Sequence, residues 1–120
     1  MSRILVIEDE FLLAAHIGGI LEDDGYDVIG PVGTLAEAVK LARDEDLQGA
    51  LLDVNIVGGR VDDVADILAG RGVPFVFVTG YGRDHLPPNF RDAFVVNKPF
   101  DDEDLLKRVR GFSDGVQHVS

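Results

Sequence analysis

The 120-residue chain carries 22 acidic against 11 basic side chains, a formal net charge of −11, and no cysteine. That length suits one domain with a sizeable core, and the negative charge argues against nucleic acid or an anionic membrane as a direct partner. Without cysteine there is neither a disulfide framework nor a thiolate metal site, and a reducing cytoplasm is the expected compartment. Met1-Ser2-Arg3 runs straight into an apolar stretch, leaving no room for a signal peptide, and no apolar run is long enough to span a membrane.

In chain order, Ile4-Leu5-Val6-Ile7 is a short apolar run that ends in Glu8-Asp9, as a strand buried on both faces would. Leu13, Ile17, Ile20 and Leu21 then fall at helical spacing, with Gly25 as the stop. The pair Gly18-Gly19 costs that helix about 1 kcal/mol per glycine relative to alanine, and its small residues suit close packing on a sheet. Val28-Ile29-Gly30 reads as a second strand ended by Pro31. Thr34 and Glu37 form a capping box that opens a helix to about Arg43, with Leu35, Ala38, Val39 and Ala42 inward.

Residues 49–52 are a third buried strand, and Asp53 follows where it leaves the sheet. Gly58-Gly59 reads as a loop before a helix with Val61, Val64, Ala65 and Leu68 on one face. Residues 73–78 are rich in β-branched and aromatic side chains and form the fourth strand. Thr79-Gly80-Tyr81-Gly82 comes next. Pro87-Pro88 removes two backbone donors, so the following helix is expected to be short or irregular. Residues 93–96 form the fifth strand, closed by Asn97-Lys98-Pro99. Asp101, Asp102 and Glu103 open a last helix with Leu105, Leu106 and Val109 inward and basic residues near its end, matching the helix dipole. Residues 113–120 read as a frayed tail of a single domain spanning 1–120.

Strand and helix alternate throughout, which predicts an α/β, doubly wound, five-stranded parallel sheet of flavodoxin-like order 2-1-3-4-5. Ligands of such sheets bind at the carboxyl ends of the strands, near the switch point between strands one and three. Those strands end in Glu8-Asp9 and Asp53. Neighbouring strands lie about 4.8 Å apart, so the carboxylates crowd together. Crowded carboxylates raise one another's pKa unless a cation neutralises them, and Mg²⁺ suits an all-oxygen site with few protein ligands.

Glu8-Asp9, Asp53, Thr79 and Lys98-Pro99 close the first, third, fourth and fifth strands. This set resembles the receiver domain of two-component response regulators. The run Pro74 to Tyr81 is similar to single-domain receivers with a Phe-x-Phe-Ala-Thr-Gly-Tyr motif, with Val78 in place of the alanine. The resemblance implies Asp53 as the phosphoacceptor, able to attack a phosphohistidine through its carboxylate. It implies Asp9 as a direct Mg²⁺ ligand, Glu8 as a ligand through water, and the Asn55 backbone carbonyl as a further ligand. Lys98 would pair with the incoming phosphoryl oxygens and Thr79 would turn its hydroxyl toward them. Pro99 would follow a cis bond, usual in the family.

Two departures from the family pattern bear on signalling. Val95 stands where an aromatic residue usually couples to the threonine, which leaves Tyr81 to act with Thr79 as the switch. The loop after Asp53, Ile56-Val57-Gly58-Gly59, lacks the proline common there. The resulting expectation is a stand-alone phosphoacceptor served by a histidine kinase or histidine phosphotransferase, not an enzyme acting on other substrates, with output through protein contacts. The alternative is a receiver-like interaction module that phosphorylation does not switch. A small phosphohydrolase would need a second acid after Asp53 where Asn55 stands. A flavin-binding role would need donors in the acidic first loop. His16, His85 and His118 are scattered and carry no assigned role.

Overall fold

The computed structural model describes residues 2–114. Strand β1 (Arg3–Ile7) is followed by helix α1 (Phe11–Asp23), strand β2 (Asp27–Val32), helix α2 (Leu35–Asp44) and strand β3 (Gly49–Leu52). A short hairpin, β4 (Asn55–Ile56) with β5 (Gly59–Arg60), leads into helix α3 (Asp62–Gly70) and strand β6 (Phe75–Thr79). Two 3-10 turns, Arg83–His85 and Pro88–Phe90, precede strand β7 (Val95–Asn97), helix α4 (Asp102–Arg110) and a final 3-10 turn, Gly111–Asp114. The five long-range strands are all parallel and lie in the order β2-β1-β3-β6-β7. This is the doubly wound arrangement expected from the alternation of elements.

Period-two alternation divides the apolar strands between two cores. Leu5, Ile7, Ala50, Leu52, Phe75 and Phe77 face α2 and α3, meeting Ala38, Ala42, Val64, Ala65 and Leu68. Ile4, Val6, Leu51, Val76, Val78 and Val96 face α1 and α4, meeting Ile17, Leu21, Leu105, Leu106 and Val109. Both faces are therefore dry, which is why the strands read as continuous apolar runs. Each fully buried Leu, Ile or Phe contributes about 1.5–3 kcal/mol relative to exposure. No helix of the described residues is long and apolar enough to cross a membrane.

Several boundaries differ from the sequence expectation. Strand β2 continues through Pro31 to Val32. It is an edge strand, where a missing N–H costs no ladder bond. The passage is irregular: the register shifts between Leu5 and Ile7, and Gly30 takes φ 96. A Cβ at Gly30 would stand 2.9 Å from the Val6 carbonyl oxygen, so the edge can approach β1 only without one. The expected loop at Gly58-Gly59 is part of the β4–β5 hairpin, with Gly58 in its turn and Gly59 in β5, paired with Ile56. Strand β7 begins at Val95, because the backbone before it is still occupied by the preceding turns. A Cβ at Gly18 would meet Pro31 at an ordinary 3.8 Å and one at Gly19 would face open space, so close packing on the sheet requires neither glycine.

In place of a helix between β6 and β7 are the two 3-10 turns. Pro87 and Pro88 cannot donate, which denies the segment an i→i−4 ladder. Side-chain anchoring replaces it. Leu86, Phe90 and Ala93 are buried in the α2–α3 core, and the Phe90 ring meets Phe75 edge-on at 5.3 Å. Arg83 donates to the carbonyls of Ala93 at 2.7 Å and Arg91 at 3.1 Å. At the chain end, Ser113 and Asp114 belong to the last 3-10 turn rather than to a frayed tail. Phe112 is buried against Gly49, where a Cβ would collide with its ring. The remainder of the expected tail lies outside the described residues.

Candidate functional site

Every residue singled out at a strand end arrives at the same edge of the sheet. Ile7 pairs with Leu52 and the Asp53 N–H donates to the Ile7 carbonyl at 2.9 Å, so Glu8 and Asp53 are set side by side. Thr79 pairs with Asn97, and the Lys98 N–H donates to the Thr79 carbonyl at 2.9 Å. Carboxylate oxygens of Glu8, Asp9 and Asp53 lie within 4.8 Å of one another. A cleft of about 490 Å³ opens over them, lined among others by Asn55, Gly80, Tyr81 and Lys98.

The acids are not equivalent. Glu8 is buried, Asp53 half-buried and Asp9 exposed. One Glu8 oxygen accepts from the Lys98 ammonium at 2.7 Å and the other from the Glu10 N–H at 3.0 Å. Both oxygens of the buried acid are thereby committed within the protein. Lys98 starts two strands from Asp53, and its stem carries Nζ to 3.5 Å from Asp53 Oδ2 and on to Glu8. Burial, then the charge of Glu8, pushes the Asp53 carboxyl up to about 7, with Lys98 opposing and Asp9 adding a smaller push. Burial alone would lower the Lys98 ammonium, but the hydrogen bond to Glu8 and the charges of Asp53 and Glu8 hold it above its ordinary value.

The remaining expected residues stand around this cluster. Thr79 is buried and its hydroxyl accepts from the Tyr81 N–H at 3.1 Å. Tyr81 is exposed, its ring 4.9 Å from that of His85. Asn55 opens β4 on the rim of the cleft. The bond from Lys98 to Pro99 is cis, as expected, and so is that from Gly30 to Pro31.

Three contributors escaped the sequence reading. Glu10 matters through its backbone, which no side-chain pattern reports. A Cβ at Gly33 would come within 2.9 Å of the Asp9 Cα and 3.3 Å of the Glu8 carbonyl oxygen, so the bare glycine lets the β2–α2 loop press against the acids. Arg60 reaches from the hairpin to the His85 carbonyl at 2.7 Å. In the sequence its hairpin reads as a plain loop.

The donor set is all oxygen, three carboxylates against one ammonium, which fits a hard divalent cation. Mg²⁺ would be held by Asp9 and Asp53, with Glu8 displaced to a supporting role by its bond to Lys98.

Fold and site together define a receiver domain. A model of the response regulator receiver domain matches residues 4–110, and the chain belongs to that family. It is 37% identical over 103 residues to the phyllosphere-induced regulator PhyR of Methylorubrum extorquens, covering 82% of this chain and 39% of that protein. It is 30% identical over 111 residues to the transcriptional regulatory protein PdtaR of Mycobacterium tuberculosis, covering 89% of this chain and 54% of that protein. The chain thus spans about half or less of these curated relatives. Against the solution structure of SdrG from Sphingomonas melonis Fr1 the TM-score is 0.81 at 37% identity, covering 94% of this chain and 97% of that one. A BeF3-activated conformation of SdrG gives a TM-score of 0.71 at 38% identity, covering 90% of this chain and 92% of that one. The same fold occurs in the receiver domain of a sensor histidine kinase from Pseudomonas aeruginosa, solved with a magnesium ion in its active-site cleft (TM-score 0.77, 20% identity, covering 92% and 96%).

Proposed function

We propose that this receiver domain acts as a cytoplasmic phosphoacceptor in histidine–aspartate signalling, with Asp53 as the acceptor. The observation that carries this reading is the Asp53 carboxylate at a strand end, 3.5 Å from the Lys98 ammonium and grouped with Glu8 and Asp9. The donor is a histidine kinase or histidine phosphotransferase, and output passes through protein contacts. The chain is a phosphoacceptor that assists its own phosphorylation and dephosphorylation rather than an enzyme acting on other substrates.

In the transfer, an Asp53 oxygen attacks the phosphorus of a phosphohistidine. A P–O bond forms as the P–N bond breaks, giving an acyl phosphate, and the imidazole leaves with a proton taken up from solvent. Lys98 moves from Glu8 and Asp53 to the phosphoryl oxygens, where its charge is worth most as negative charge develops. Asp9, Asp53 and the Asn55 carbonyl would hold Mg²⁺, with Glu8 in a supporting role through water, and the ion would supply neutralising charge at the cleft. Thr79 turns its hydroxyl to donate to a phosphoryl oxygen, and this rotation displaces the oxygen that accepts from the Tyr81 N–H. Tyr81 then repositions, and with it the surface over residues 81–90. Val95 cannot swing or hydrogen-bond as an aromatic partner would, which leaves this role to Tyr81.

The test is intact-mass analysis after acetyl phosphate and Mg²⁺. One phosphoryl adduct is expected on the wild type and none on Asp53→Asn. An adduct that persists in Asp53→Asn overturns the assignment.

A further inference from the structure

Arg60 ties together two loops that border the cleft. Its Nε donates to Asp62 Oδ1 at 3.1 Å, anchoring the guanidinium to the first turn of α3. Its Nη2 donates to the His85 carbonyl at 2.7 Å, gripping the 3-10 turn that follows Tyr81. Arg60 also pairs across the hairpin with Asn55, two residues after Asp53. The hairpin is fastened at both ends. The Val57 N–H donates to the Gly33 carbonyl and the Leu35 N–H to the Val57 carbonyl, while the Val61 N–H donates to the Val54 carbonyl. With base and tip held, Asn55 and Arg60 are fixed relative to each other. On the other side of the cleft, Tyr81 is joined to Thr79 through its N–H and to His85 through its ring. A continuous line of contacts results, from Asn55 beside Asp53 through Arg60, His85 and Tyr81 to Thr79.

We propose that Arg60 is a latch that carries the state of the acid cleft to the Tyr81–His85 turn. A displacement of Asn55 on cation binding is passed across the hairpin to Arg60, and the guanidinium draws the His85 carbonyl with it. This second route bypasses Thr79 and gives the turn a response to the divalent ion alone. It rests on the reading of the cleft as a cation and phosphoryl site. The turn lacks an α-helical ladder, so the charge-assisted grip on the His85 carbonyl adds to the buried Leu86 and the Arg83 hydrogen bonds in positioning it.

Mg²⁺ without a phosphoryl donor isolates this route, because nothing then competes for the Thr79 hydroxyl. The measurement is a Mg²⁺ titration of the full chain followed by ¹H–¹⁵N spectra, for the wild type, Arg60→Ala and Arg60→Lys. In the wild type, Mg²⁺ should shift amides of residues 8–10 and 53–56, the Arg60 Nε–H, and amides of residues 82–86. In Arg60→Ala the first group should still shift and the Mg²⁺-induced change at residues 82–86 should be lost. Arg60→Lys keeps the charge but not the fork that holds Asp62 and His85 at once, and should lose it too. A merely structural Arg60 would alter the metal-free signals of residues 82–86 yet leave their Mg²⁺-induced change intact. That outcome overturns the latch, as does a wild type whose residues 82–86 ignore Mg²⁺ while residues 8–10 and 53–56 respond. Silence at residues 8–10 and 53–56 as well overturns the cation reading itself, and the latch with it.

Discussion

Asp53 makes the stability of the metal-free protein depend on pH in a direction opposite to that of an ordinary paired carboxylate. Its folded-state pKa is raised from 3.8 to about 7. The folded protein therefore keeps a proton that the unfolded chain has released, and stability falls as pH rises between those values. The contribution is fully present below pH 3.8 and lost as pH passes about 7. At 1.36 kcal/mol per pH unit the gap sets a ceiling of about 4 kcal/mol, with Asp53's side chain only 13% exposed. Asp53→Asn removes this titration without removing the side-chain volume. Urea unfolding in EDTA at several pH values between about 4 and 7.5 should show the variant gaining on the wild type as pH rises. Groups remote from the cleft titrate identically in both proteins, so the difference between the two curves reports Asp53 together with the charges it touches, Glu8 and Lys98. Parallel curves across that window would refute the assignment of a buried, charge-crowded carboxyl at this position.

Three further outcomes are expected. Mg²⁺ at a hundred times its Kd should raise wild-type stability by about 2.7 kcal/mol, and Asp9→Asn should stabilise the metal-free protein while largely abolishing that gain; thermal melts with Mg²⁺ and with EDTA read both. Gly19→Ala should stabilise α1 by up to about 1 kcal/mol, since a Cβ there meets nothing within 4 Å; a destabilised variant in urea unfolding would contradict it. Gly33→Ala should weaken Mg²⁺ binding, measured by calorimetry, because the added methyl forces the Asp9 backbone away; unchanged affinity would show that the loop yields instead.

The fold was legible because both faces of the sheet are dry. Continuous runs such as Leu5 to Ile7 and Phe75 to Val78 admit few other readings, and the acids at their ends located the binding edge. What escaped was set by backbone geometry rather than side-chain chemistry. Pro31 read as a terminator because its consequence depends on whether the strand lies at an edge. The β4–β5 hairpin has two residues per strand, too short for any alternation to show. At the site, Asp53 and Asp9 were legible as acids at strand ends, whereas Thr79 and Lys98 stood out only through the resemblance to receiver domains. Glu8 was legible as an acid, but its engagement by Lys98 and the Glu10 N–H was not, since it depends on a contact spanning 90 residues of sequence. Gly33 and Arg60 act through a close approach and a carbonyl grip, neither of which leaves a pattern along the chain.

The position of Lys98 between Glu8 and Asp53 makes metal affinity a competition rather than a simple capture. A tethered ammonium already acts as counter-ion to part of the trio, at an effective concentration no free monovalent salt can match. An arriving divalent ion is therefore measured against that resident charge, and its apparent affinity is the difference between two occupancies. On the proposed function, neutralising Lys98 should deprive the phosphoryl oxygens of a partner and at the same time strengthen Mg²⁺ binding. Loss of phosphoacceptance and gain of metal affinity would thus travel together in one substitution.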